Sequence, residues 1–173
     1  MRKIFIGMLF VFLDFTINLN TSRIGLIPDF IGYIIMVQGL VELADESFWF
    51  EKVKPHAIGM AIYTGALYAF DLFGISESTG ILSWLLGLIS TGISLYISYG
   101  IVMGVQNIES MQNRNLDGDE LMAKWKMYAI LSLIIYLLVF IPVLNILAII
   151  AGFIIAIYFL VGLNRTKKLY EQG

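Results

Sequence analysis

The chain has 173 residues, 59% of them hydrophobic and 14% charged, with a formal net charge of -2 and a mean hydropathy of +0.85. Soluble domains carry about 25% charged residues, so the composition excludes a water-soluble globule and points to a single integral membrane domain over residues 1–173. With no Cys and one His, it also excludes disulfides, thiol catalysis, iron–sulfur clusters and Cys- or His-rich metal sites.

The N-terminus opens on Arg2 and Lys3 and continues into an apolar run. Asp14 interrupts that run and no small-residue cleavage site follows, so the segment reads as a retained first helix rather than a secretory signal. From there hydropathy gives six candidate spans: 4–19, 27–43, 57–75, 81–108, 123–141 and 143–163. The first two are short for a hydrocarbon core about 30 Å thick. Pro28 and Pro55 suit the first turns of the second and third helices, where a missing N–H costs nothing, and Pro142 marks the connection between the fifth and sixth.

Between the second and third spans, ADESFWFEKVK mixes Phe48, Trp49 and Phe50 with charged residues and suits a short helix lying in the membrane interface. Between the fourth and fifth, NRNLDGDEL places Asn113, Asn115, Asp117 and Asp119 at calcium-loop spacing. The position that must supply a bidentate Glu is Lys124, however, so Asp117 capping the fifth helix in a box with Glu120 is the simpler expectation.

Of the 11 Lys and Arg residues, all but Arg23 fall before span one, between two and three, between four and five or in the first turn of five, or after six. The positive-inside rule therefore puts both termini in the cytoplasm. These cations sit at the ends of apolar runs rather than in a basic patch, and nucleic acid is not an expected partner. The fold expected is all-α: a polytopic bundle of six transmembrane helices in three hairpins, N-in and C-in. The second helix of each hairpin ends alike, in GLVELADE, GVQNIESM and GLNRTKKL from Gly39, Gly104 and Gly162, consistent with a threefold repeat.

Function is sought where polar groups meet the membrane, because an ionisable residue at that depth is costly. Asp14 lies ten residues into span one with Asn18 one turn on. Asp29 follows Pro28 at the outer end of span two, where the helix dipole favours an anion. Asp71 shares a face of span three with Thr64 and Tyr68. Asp14, Asn18, Asp29, Tyr68 and Asp71 are the candidate ligand-binding residues of one outward-facing polar cavity suited to a small solute or cation. No catalytic set, metal site or cofactor is expected, and no enzyme activity. The alternative is a structural or regulatory subunit acting through helix–helix contacts with a membrane-protein partner or a second copy. Small-residue stripes, Ser83-Gly87-Thr91-Ser94-Ser98 and Ala148-Gly152-Ala156, suit close helix packing.

The run over residues 14–43, with DFTIN followed by IGLIPDFIGYIIMVQGL, resembles the opening of an uncharacterised group of small multi-pass membrane proteins of Gram-positive bacteria. LIPDFIGY, residues 26–33, is its specific part, and the resemblance covers about a quarter of the chain. It implies a bacterial plasma-membrane location and brings no activity with it. Six spans with both termini inside also looks like the substrate-binding subunits of energy-coupling-factor vitamin transporters, but the first helix lacks their small-xxx-small contact motif.

Overall fold

The computed structural model describes residues 1–12, 16–19, 22–25, 28–73, 81–138 and 142–172. In chain order the described elements are α1 (Arg2–Phe12), β1 (Thr16–Leu19), β2 (Ser22–Gly25), α2 (Asp29–Glu42), α3 (Phe48–Leu72), α4 (Ile81–Gln112), α5 (Gly118–Leu138) and α6 (Pro142–Gln172). Each helix packs on its chain neighbours, and α6 returns to α1, so the six form a closed circuit.

Two expectations need correction. The continuous helix over 4–19 is instead α1, which ends at Phe12, and a strand that pairs antiparallel with β2, Asn18 standing opposite Arg23. Hydropathy cannot see this break, but backbone preference can. Thr16 and Ile17 are β-branched and stiff in a helix, while Asn18 competes for backbone hydrogen bonds. The separate interfacial helix at ADESFWFEKVK is also absent, because Phe48 already begins α3, which runs on through Pro55 to Leu72. Ser47 starts it, its Oγ accepting the Trp49 N–H at 3.4 Å. Phe50, Val53, Ala57 and Met60 are all buried and repeat at helical spacing across the proline. That unbroken apolar face outweighs the one backbone bond Pro55 cannot donate.

Two helices among the described residues are long and apolar enough to cross a membrane, α4 over Trp84–Gln112 and α6 over Ile150–Gln172, with mean hydropathies of 1.7 and 1.4. With 11 and 14 residues, α1 and α2 reach only about 17 and 21 Å. Charged residues dilute the first turns of α3 and α5. Large apolar side chains nevertheless stand exposed on the outside of the circuit, among them Ile62 on α3, Ile89 on α4, Ile130 on α5 and Ile154 on α6. Contiguous apolar surface of this kind is what a protein presents to lipid or to a partner.

The three hairpins share one internal contact. Gly39 of α2 lies against Ile4 of α1, Gly104 of α4 against Phe50 of α3, and Gly162 of α6 against Lys124 and, more loosely, Leu121 of α5. Ile4, Phe50 and Leu121 each sit in the first turn of their hairpin's first helix. The surrounding burial repeats too. Three residues before each glycine come Met36, Ile101 and Phe159; one after come Leu40, Val105 and Leu163; four after come Leu43, Ile108 and Thr166. All nine are buried. A hydrogen side chain leaves room at each crossing, for the partner's backbone at Gly39 and for a side chain at Gly104 and Gly162.

Candidate functional site

Of the five candidate residues, Asp14 lies outside the described residues, as do the side chains of Asn18 and Asp71. The backbone of Asn18 is in β1 and that of Asp71 in the last turn of α3. The remaining two, Asp29 and Tyr68, are linked through Phe30. Asp29 opens α2, and the ring of its neighbour Phe30 lies 5.6 Å from that of Tyr68 on α3. Phe30 also packs on Gly65, one turn earlier on α3. The start of α2 and the end of α3 therefore meet at the same end of the molecule. At Asp29 the helix has Pro28 as its N-cap without a side-chain cap bond, so the Asp29 carboxylate is the first-turn anion facing the helix dipole.

From Asp29 a line of polar groups runs into the circuit. Tyr33, one turn further along α2, is buried, and its side chain lies toward Ser94 on α4. One turn along α4, the buried Ser98 Oγ donates to the Leu95 carbonyl at 2.9 Å and accepts the indole N–H of Trp125 on α5 at 2.9 Å. Beside this line, Phe12, Tyr128 and Phe159 stack across α1, α5 and α6, with centroids 4.8 Å and 5.7 Å apart along the series. The serine stripe of α4 thus faces the interior at Ser94 and Ser98. Tyr33 and Trp125 were missed as site residues, since Tyr33 reads as one more aromatic in an apolar run and Trp125, between Lys124 and Lys126, as an interfacial aromatic. The available signal was Asp29 four residues before Tyr33, on the same face.

The opposite end is held by charge. Lys3 pairs with Glu42, tying α1 to α2. Ser47 donates to Asn107 at 2.9 Å, tying the start of α3 to the end of α4. The expected capping box of Asp117 and Glu120 does not form. Glu109 of α4 instead accepts the N–H groups of Leu116 and Gly118, both at 3.0 Å, and so caps α5 from another helix. Asp117 is left to pair with Arg165 at 2.7 Å. Glu120 pairs with Lys124 at 2.8 Å and Arg165 at 3.1 Å, and hydrogen bonding to Lys124 holds its carboxyl below the usual carboxylate range. Arg114 donates to the carbonyls of Leu169 and Tyr170, and the Tyr170 hydroxyl to Glu46. Among the described residues no group of His, Asp and Glu is arranged to hold a metal ion.

Between α3 and α4 the surface opens into a groove of about 420 Å³, lined by Pro55, His56, Gly59 and Tyr63 on one side and Leu86, Ile89, Ser90 and Ile93 on the other. Its origin is a change in helix separation. At the charged end Gly100 and Gly104 bring α4 against Val53 and Phe50, whereas a Cβ at Gly59 or Gly92 would meet nothing within 4 Å. Comparison of the chain with family models, with curated proteins and with solved structures finds no match.

Proposed function

We propose that the chain is a non-enzymatic, six-span protein of a bacterial plasma membrane, N-in and C-in, that binds and passes a small solute or cation through a polar space open to the outside. The β1–β2 hairpin is the observation that carries this reading. It is a two-stranded sheet lying between α1 and α2, and α1 is too short to lift it clear of a bilayer by itself. Open sheet edges are not tolerated against lipid; non-helical backbone at that depth must be enclosed by protein or line a water-filled cavity. With Thr16, Asn18, Ser22 and Arg23 among its eight residues, this hairpin carries polar groups of the kind a cavity wall uses. Asp29, Tyr33 and Ser94 continue the polar lining inward, and Asp29 supplies the preference for a cation.

The orientation is supported by the gathering of Lys3, Arg114, Lys124, Arg165 and Lys167 at the end where α1 begins and α6 finishes. α1, α2, α3 and α5 fall short of a span on hydropathy alone because interfacial charges and short length dilute them; packed beside α4 and α6, they share one layer.

The test uses the absence of native Cys. Single substitutions Asn18→Cys and Ser22→Cys are expected to react with a membrane-impermeant thiol reagent from outside intact cells. Mass spectrometry of the purified protein is expected to find a small molecule that Asp29→Asn no longer retains. Hairpin cysteines inert from both sides, together with no retained molecule, would overturn the reading.

A further inference from the structure

The α3–α4 groove has an order of polarity along its length that an apolar packing surface does not need. On α3 His56, Gly59 and Tyr63 line it, and Trp49 and Lys52 continue the same helical face toward the charged end. At the charged end of the molecule the Trp49 ring stands edge-on to Tyr99 at 5.8 Å, and the Lys52 ammonium sits 4.5 Å over Trp49. Two turns above Trp49, His56 meets Tyr96 at 4.8 Å. Beyond His56 the lining turns apolar, with Ile93, Ile89 and Leu86 facing the open space at Gly59. Trp49 and His56 are about 10 Å apart along the helix axis, so cations and aromatics occupy the first turns and the apolar trough follows directly. Among the described residues Lys52 forms no ion pair with a carboxylate; its partner is the Trp49 ring.

We propose that this groove holds one anionic phospholipid of the inner leaflet, its phosphate held by Lys52 and His56 and an acyl chain lying along Gly59 between α3 and α4. Three features match that ligand together. The aromatic pair Trp49 and Tyr99 is at headgroup level, where such rings concentrate. Basic pockets between helices on the cytoplasmic side suit anionic headgroups. Gly59 leaves room that a side chain would take. A helix from a second copy would also cover the apolar trough but would leave Lys52 without a counter-charge. The inner-leaflet placement rests on the topology proposed above, while the headgroup preference can be read in detergent whatever that topology is.

The experiment is lipid binding to the full purified chain by native mass spectrometry, with phosphatidylglycerol against phosphatidylcholine. Wild type is expected to keep phosphatidylglycerol preferentially. The double variant Lys52→Gln, His56→Gln is expected to lose at least fivefold in phosphatidylglycerol affinity, about the value of one surface cation, with phosphatidylcholine unchanged. Gly59→Leu is expected to weaken both lipids. Lys167→Gln, a cation on α6 that sits over the Phe5 ring of α1, is expected to change neither. Equal binding of the two lipids by wild type, or a double variant that keeps the preference, overturns the proposal. So does a disulfide-linked dimer formed through Gly59→Cys, which would seat a second copy in the trough. Should Gly59→Leu fail to fold, the double variant still decides, because Lys52 and His56 are both exposed.

Discussion

Glycines in this chain have opposite roles depending on what stands opposite them. Gly104 faces the buried ring of Phe50, whereas Gly59 faces open space. Gly104→Ala is therefore expected to lower stability by about 1 to 3 kcal/mol through overpacking. Gly59→Ala should be neutral or stabilising by up to about 1 kcal/mol, since alanine is the better helix former. Thermal unfolding in a fixed detergent, followed by helical circular dichroism, compares the two. Equal effects would mean that the Gly104–Phe50 crossing does not set the α3–α4 separation. Gly39, Gly104 and Gly162 are legible in the sequence as a recurring glycine before an aliphatic residue. Their partners Ile4, Phe50 and Leu121 are not, because a contact between two helices leaves no spacing signal in either one.

At the level of elements, hydropathy placed α2, α4, α5 and α6 within a few residues at their apolar ends and failed where backbone chemistry decides. The apolar residues of Thr16–Leu19 count the same in a strand as in a helix, so a window average runs straight through the break after Phe12. Asp117 likewise looked like the cap of α5 because the local pattern fits. The actual cap is Glu109, nine residues before Gly118 and on a different helix. Glu109→Ala is expected to cost about 1 to 2 kcal/mol, having left two N–H groups at the start of α5 without an acceptor. Glu109→Gln should recover part of that, because one side-chain oxygen remains. Chemical denaturation of the three proteins in detergent reads the order; an Ala variant as stable as wild type would show that water caps α5 equally well.

The tether of α6 to the α2–α3 turn carries its own pH dependence. Burial, then the hydrogen bond to the Glu46 carboxylate, push the Tyr170 hydroxyl up to about 12, from an ordinary value near 10. A raised tyrosine is neutral in the folded protein over a range where the unfolded chain has begun to ionise. Its contribution is complete below about pH 10 and is lost as pH rises through 12. Wild type is expected to destabilise more steeply than Tyr170→Phe between those values, and the two curves should run parallel at neutral pH. Parallel curves throughout would remove Tyr170 from the tether.

Across the whole molecule, the circuit of six helices is charged at one end and apolar around its sides, and these two facts together dictate how it can sit in a bilayer. Lys3–Glu42, Ser47–Asn107, Arg165–Asp117 and Tyr170–Glu46 link the starts of α1, α3 and α5 to the ends of α2, α4 and α6. In the proposed topology all six helices cross in alternating directions, which keeps each of these partners at one end. Moving any one hairpin to the opposite orientation would carry its lysines and arginines through the hydrocarbon, at about 2.5 to 3.5 kcal/mol for each charge placed at the centre. It would also break the hydrogen bonds that join the hairpins at that end, Tyr170 to Glu46 and Arg114 to the Leu169 and Tyr170 carbonyls. The charged end should therefore be uniformly cytoplasmic. A single cysteine at Asn113, beside Arg114 in the α4–α5 turn, is expected to react with an impermeant thiol reagent only after cells are permeabilised. A cysteine at Ser78, between α3 and α4, should react in intact cells. The reverse pattern would invert the protein and move the polar hairpin to the cytoplasmic side. Labelling of both positions in intact cells would mean that α4 does not cross at all, although it is the longest helix among the described residues.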